Sequence, residues 1–315
     1  MSTPSGALPE ALRASQAAAP TAMPATRPLY WSVRRELWEN HSIYIAPLAV
    51  AILGLCGFVV SLIWPPKHET GLMGIDPAYH TVALAMPYSH AEMLLMLTGL
   101  IVGVFYCLDA LHSERRDRSI LFWKSLPVSD LTTVLAKAAI PLLVLPLLLF
   151  VIVVAMQLLM LLLSITALLM TGGSAATLLR QLPLFQLQLV LLYSLAVSTL
   201  WYAPLYGWML LVSSWARRAT LLWAVLPPLA IAAVEWIAFH SSHFGSLLLN
   251  RLIGFAPDAY VLTMPDGSLV DAHFIPVSQL APGRFLASPG LWIGLALAAA
   301  FLAAAVRLRR YREPI

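Results

Sequence analysis

Residues 138–170, AAIPLLVLPLLLFVIVVAMQLLMLLLSITALLM, carry no charged side chain, and their reading decides the fold. An α-helix rises about 1.5 Å per residue, so about 20 apolar residues cross a ~30 Å hydrocarbon layer, and this run is more than long enough. Pro141 and Pro146 lie near its start. Each ring removes an amide donor, which predicts a bent or broken beginning. Outward from this run, five further apolar stretches give six predicted spans in all, at 43–64, 90–111, 138–170, 183–213, 220–240 and 289–306. Alternating strands of about ten residues, the signature of a membrane barrel, are missing. Composition agrees: of 315 residues, 60% are hydrophobic and 11% charged, with a mean hydropathy of +0.81. These values exclude a soluble domain and predict an all-α, polytopic membrane protein with six transmembrane helices.

The basic residues orient the spans. With a cytoplasmic N-terminus, fifteen of the nineteen Lys and Arg fall on cytoplasmic segments and only Lys67, Arg180, Arg251 and Arg284 lie outside. Both termini are then cytoplasmic. The net charge of +4 and pI of about 9.2 are accounted for by the same asymmetry, because the basic residues flank membrane spans and form no nucleic-acid surface. Residues 1–29, rich in Ala, Pro, Ser and Thr, are expected to be a disordered cytoplasmic tail, with no apolar core of a secretory signal. Residues 30–41 form an amphipathic pattern in which Tyr30, Trp31, Val33, Leu37 and Trp38 share one arc with Arg34, while Ser32, Arg35, Glu36 and Glu39 face away. This predicts a helix lying flat on the cytoplasmic leaflet in contact with lipid. The transmembrane domain is 42–306, with a cytoplasmic loop at 112–137 and an extracytoplasmic loop at 241–288, and 307–315 is a basic cytoplasmic tail.

The 112–137 loop concentrates charge that is scarce elsewhere: Asp109, Glu114, Arg115, Arg116, Asp117, Arg118, Lys124, Asp130 and Lys137 lie in or beside it. In its middle Ile120, Leu121, Phe122 and Trp123 run consecutively, and a helix would point them around its whole circumference. Such a segment needs a partner on the side away from the membrane, most simply a soluble protein docked from the cytoplasm. Pro127 stops that helix, and Ser129 is placed to cap the next. The sequence lacks HExxH, GxSxG and GxxxxGK[ST], so catalysis, including ATP hydrolysis through a phosphate loop, is not expected of this chain. His240 and His243, in HSSH, are a weak metal pattern, and no metal site is predicted. Cys56 and Cys107 lie at different depths of their spans, which argues against a bridge between them. Glu235, beside Trp236 in the fifth span, is the acid read as lying well inside a span. Its cost there predicts either a polar lining of a substrate path or gate, formed with Trp236, or a structural role as an ion pair with Arg251 or Arg180 or as a protonated packing residue.

The order of parts resembles the permease subunits of ABC-2 type (ATP-binding cassette) exporters. The specific match lies between Asp109 and Lys137, in the run ERRDRSILFWKSLPVSD. The architectural likeness extends over residues 30–310. The resemblance implies an ABC-2 type exporter transmembrane domain in a bacterial inner (cytoplasmic) membrane, multi-pass, that forms the substrate path. It implies that Glu114, Arg115, Arg116, Asp117, Arg118, Ile120, Leu121, Phe122 and Trp123 dock onto a separate ABC ATPase subunit. Two copies of that subunit are expected, with ATP and Mg bound there and no cofactor on this chain. A second permease copy or a homologous permease, and membrane lipid, complete the implied partners, with short re-entrant helices between the fifth and sixth spans. FGSLLLNRLIGF, from Phe244, is the matching run, and Asp266-Gly267 marks an extracytoplasmic hairpin beyond it. Two readings from other classes stay open, a secondary transporter and a non-transporting membrane anchor or sensor that recruits a cytosolic partner.

Overall fold

Six helices in the computed structural model are long and apolar enough to cross a membrane. The structure describes residues 26–64, 77–117, 129–261 and 275–311. Helix α1 (Thr26–Glu39) precedes α2 (Ser42–Ile63), the first apolar rod. The second rod, α3 (Pro77–Ala110), is followed by the short α4 (His112–Arg116). Then come α5 (Asp130–Ala139), a π-helical turn (Ile140–Val144) and α6 (Leu145–Met170). Short α7 (Ala175–Gln181) leads to α8 (Leu184–Trp215) and α9 (Thr220–Phe239). The connection to the last rod contains α10 (His243–Ile253), α11 (Ala256–Ala259), a 3-10 turn (Val277–Gln279) and α12 (Pro282–Ala287), and α13 (Pro289–Tyr311) closes the bundle. Among the described residues the sole strand-like pairing is an isolated antiparallel bridge between Tyr260 and Leu280. The hairpin expected at Asp266-Gly267 lies outside the described residues.

Four spans sit within a few residues of their predicted ends, and two differ. The second begins at Pro77 rather than His90, because YHTVALAMPYS continues the helix despite its weaker hydropathy. The third is not broken at its prolines: α5, the π turn and α6 run as one 41-residue helix. Pro141 cannot donate to the carbonyl one turn back, and the locally wider π turn absorbs the missing bond without ending the helix.

Helix α8 is the axis of the bundle. Its Leu191, Trp201 and Leu210 are almost wholly buried, against neighbours that include α3, α6 and α13. Glycines let these helices approach. A side chain at Gly103 of α3 would meet the Tyr206 ring of α8 at 2.9 Å, and one at Gly207 would meet the Ala298 backbone of α13 at 3.3 Å. By contrast α9 buries only Ala224. It is held to α8 by the Trp208 indole N–H donating to Ala224 O at 2.9 Å and by an edge-to-face pair of Trp215 and Trp223.

Helix α1 corrects one expectation. Tyr30, Trp31 and Trp38 are exposed, and the Arg34 guanidinium sits 5.3 and 4.7 Å from the Trp31 and Trp38 ring centroids, an aromatic-flanked cation. Yet Glu36, expected to face water, is among the most buried residues of the chain. The helix packs on α5, so its polar face meets protein.

Replacing Gly207 by Leu pushes α8 from α13, and its expected effect is a melting temperature several degrees lower in detergent, with loss of monodisperse protein on size exclusion. Gly207→Ala needs only a few tenths of an ångström of adjustment, so its expected melting temperature lies close to wild type.

Candidate functional site

Where α1, α4, α5 and the last turn of α13 meet, three acids and three bases form a buried cluster. Lys137 Nζ lies 2.8 Å from Glu36 Oε1 and 3.2 Å from Glu114 Oε1. Arg35 Nη2 bridges the same two carboxylates at 3.2 and 3.1 Å. Arg309 binds the other Glu114 oxygen and, through Nε, Asp130 Oδ1 at 3.1 Å. The Tyr106 hydroxyl of α3 donates to Glu36 Oε2 at 2.8 Å. Local chemistry places these groups. Ser129 Oγ accepts from Thr132 N at 3.1 Å and starts α5, which fixes Asp130 on its first turn and Lys137 two turns later. The formal charges balance, and each carboxylate accepts at least one charged donor, the condition under which a buried ionic group is tolerated.

The neighbouring residues staple α4 to the end of α8. Arg115 donates to Ser214 O at 2.7 Å, and the backbone amides of Leu111 and His112 both donate to Ser213 Oγ at 2.9 Å. The Arg115 charge therefore meets carbonyls at the negative end of α8. Of the residues assigned to ATPase docking, Glu114 and Arg115 are thus turned into the protein and unavailable to a partner's surface. Side-chain hydropathy signalled charge but could not see four helix ends converging to neutralise it. Arg116 and Asp117 are exposed and pair with each other at 3.1 Å. Arg118, Ile120, Leu121, Phe122 and Trp123 lie outside the described residues.

Glu114→Ala leaves Lys137 and Arg309 facing each other in a dry site, so the expected loss is about 3–5 kcal/mol of stability, read as a lower unfolding midpoint in detergent. The Lys137→Met and Glu36→Leu double variant, which removes a positive and a negative charge together, is expected to recover part of the loss seen in either single variant.

At the opposite end of the bundle Glu235 acts as a helix cap. Its Oε1 accepts from the Ser241 hydroxyl at 2.8 Å and the His243 amide at 2.9 Å, and Oε2 accepts from the Phe244 amide at 2.8 Å. These are free donors at the start of α10. Trp236 beside it is exposed, and neither residue lines the cavity described below. Glu235→Ala is expected to speed amide exchange at His243 and Phe244 about tenfold, from loss of roughly 1–2 kcal/mol of capping, while amides in the middle of α8 stay protected.

The α10–α12 connection folds back onto α8 through an aromatic ladder. Tyr193 OH donates to Ala259 O, Trp201 Nε1 to Arg251 O and Tyr202 OH to Leu252 O, each at 2.9 Å. Arg251 stacks 4.4 Å over Trp201 and donates to Gly290 O, in space that a side chain at Gly294 would fill. Burial lowers the pKa of this guanidinium from its ordinary value. The last residues of FGSLLLNRLIGF thus reach the middle of α8.

Beneath this cap a cavity of about 440 Å³ opens between α3, α6 and α8. It runs along α8 from Leu187 to Tyr206, about 29 Å of helix. Its walls are chiefly apolar, with Leu97, Leu100, Leu145 and Leu149 among them, and the polar groups at its capped end include His90, Glu92, Ser194 and Tyr260. There Tyr260 OH and Ser194 Oγ share a hydrogen bond of 2.8 Å. Burial, with smaller pushes from Tyr193 and then Glu92, holds the Tyr260 phenol up at about 12, so it stays neutral. Glu92 lines the same end, is 8% exposed, and has no hydrogen bond or ion pair among the described residues.

Sequence reading missed Glu92. Starting the second span at His90 made it an edge residue, whereas it lies fifteen residues into α3. The usable signal was the helical continuity of residues 77–89. Among the described residues no three His, Cys, Asp or Glu side chains gather as metal ligands would. No family model matches the chain, and no curated protein or solved structure matches it.

Proposed function

We propose that this chain is the membrane-spanning permease subunit of an ATP-driven exporter, forming the substrate path and driven by a separate ATPase that docks on the 112–137 loop. The observation that carries the reading is the anchoring of that loop. Its first turn, α4, is bound to α8 through Arg115 and Ser213, and Glu114 ties it to α1, α5 and α13. A push on such a loop moves helix ends as a body instead of being lost in a slack connection. Arg116 and Asp117, exposed where the described part of the loop ends, are free to meet a partner. The absence of a phosphate loop from the sequence gives the ATPase its place on another chain.

A second reading, an ion-coupled secondary transporter, is favoured by Glu92, a buried carboxylate facing a cavity. The two differ in whether an ATPase is bound. Affinity-tagged protein purified from its native membrane is expected to carry, in about equal amount, a subunit with a GxxxxGK[ST] motif, identified by mass spectrometry. Phe122→Asp with Trp123→Asp should keep the protein in the membrane and reduce that subunit at least tenfold. Unchanged recovery would remove the docking assignment, and wild-type protein without any such subunit would favour the secondary transporter.

A further inference from the structure

We propose that the cavity between α3, α6 and α8 is a binding site for a single-chain amphiphile with a cationic head, whose ammonium group pairs with Glu92 and whose hydrocarbon chain lies along the leucines toward Tyr206. The shape selects the chain. Its lining runs about 29 Å along α8, from Leu187 to Tyr206, an elongated apolar wall that an extended hydrocarbon chain can follow. Leu97, Leu100, Leu145, Leu149 and Leu195 supply the wall that such a chain would dry.

The charge selects the head. Glu92 is 8% exposed, lines the cavity, and has no ion pair or hydrogen bond among the described residues. Every other buried carboxylate of the described chain, Glu36 and Glu114, is compensated by two or more bases. Where this fold buries an acid for structure it supplies the cations, and at Glu92 the described residues supply none. A cation arriving with the ligand completes the pair. The hydroxyls of Ser194 and Tyr260, lining the same end as His90, offer oxygen atoms to an ammonium.

The position fits the amphiphile's two halves. Glu92 is about 27 Å along the helix from Ala110, the end of α3 nearest the charge cluster, so the head lies toward the far edge of a bilayer and the chain within it. This inference deepens the transport reading by naming the substrate chemistry and rests on that reading only for the word substrate. Binding is measured without an ATPase, so failure here and failure of the docking assignment are separate results.

The test uses full-length protein in phosphatidylcholine nanodiscs, with tritiated hexadecyltrimethylammonium as probe and empty nanodiscs as background. The expected result is saturable binding of one probe per chain, displaced by unlabelled probe and not by hexadecyl sulfate, which has the same chain and the opposite charge. Glu92→Gln is expected to weaken binding at least tenfold, Glu92→Asp to retain most of it, and Leu195→Trp, which fills the crevice but spares the acid, to abolish it. The comparison of cation with sulfate needs no variant, so it stands even if a substitution disturbs folding. No binding above empty nanodiscs, equal displacement by hexadecyl sulfate, or unchanged affinity in a folded Glu92→Gln protein would each overturn the assignment.

Discussion

The ion cluster of Arg35, Glu36, Glu114, Asp130, Lys137 and Arg309 is the constraint on which the arrangement of this bundle depends. Apolar helices in a membrane gain little from burying hydrocarbon against hydrocarbon, since lipid offers the same surroundings, so their relative placement must come from packing and polar contacts. Here six charges from four helices share one site, with Glu36, Glu114, Lys137 and Arg309 almost fully buried and Arg35 and Asp130 at its partly exposed rim. No single member can leave without exposing an opposite charge, and that makes the geometry specific even where the net energy of a buried ion pair is small. The cluster thereby fixes which end of α1, α5 and α13 lies beside α4.

The other end of the bundle is held by different chemistry. Tyr193, Trp201 and Tyr202 of α8 each donate to a backbone carbonyl of the α10–α11 segment. Those carbonyls lie near helix ends, where intrahelical donors run out, so the aromatic side chains satisfy groups that would otherwise be costly within an apolar bundle. Glu235 performs the matching service for the free amides at the start of α10. Between these two fixed ends the helix walls are lined by leucine and glycine, and that is where the crevice forms.

What the sequence disclosed follows from this division. Six rods were legible because crossing a membrane imposes length and hydropathy on each segment separately. The cap at Ser129 was legible for the same reason, being written into adjacent residues. Glu36, Glu114 and Arg115 were misplaced because their burial depends on partners up to 195 residues away, and helical periodicity assigns a polar residue to water when no partner is in view. Glu92 was overlooked through an error of boundary. A weakly apolar lead of thirteen residues, 77–89, belongs to α3, and adding it moves the acid from a helix end to a cavity wall. Glu235, expected well inside a span, lies one turn from the end of α9, where its carboxylate accepts from the nearby backbone of α10.

The two sites are joined by the helices that wall the crevice. On α3, Tyr106 touches the ion cluster and Glu92, fourteen residues earlier, lines the cavity, about 21 Å apart on one rod. On the third span the separation is shorter: Lys137 is in the cluster, Pro141 is a cavity wall, and the π turn Ile140–Val144 begins between them. A π turn is the weakest point of an otherwise regular helix, because its wider ring forgoes ideal bond geometry. The π turn therefore joins α5 to α6 between the two sites, while α3 spans them as an unbroken α-helix. The prolines that looked like interruptions of a membrane span thus sit between the charged cluster and the crevice wall, with Pro141 and Pro146 both lining the cavity.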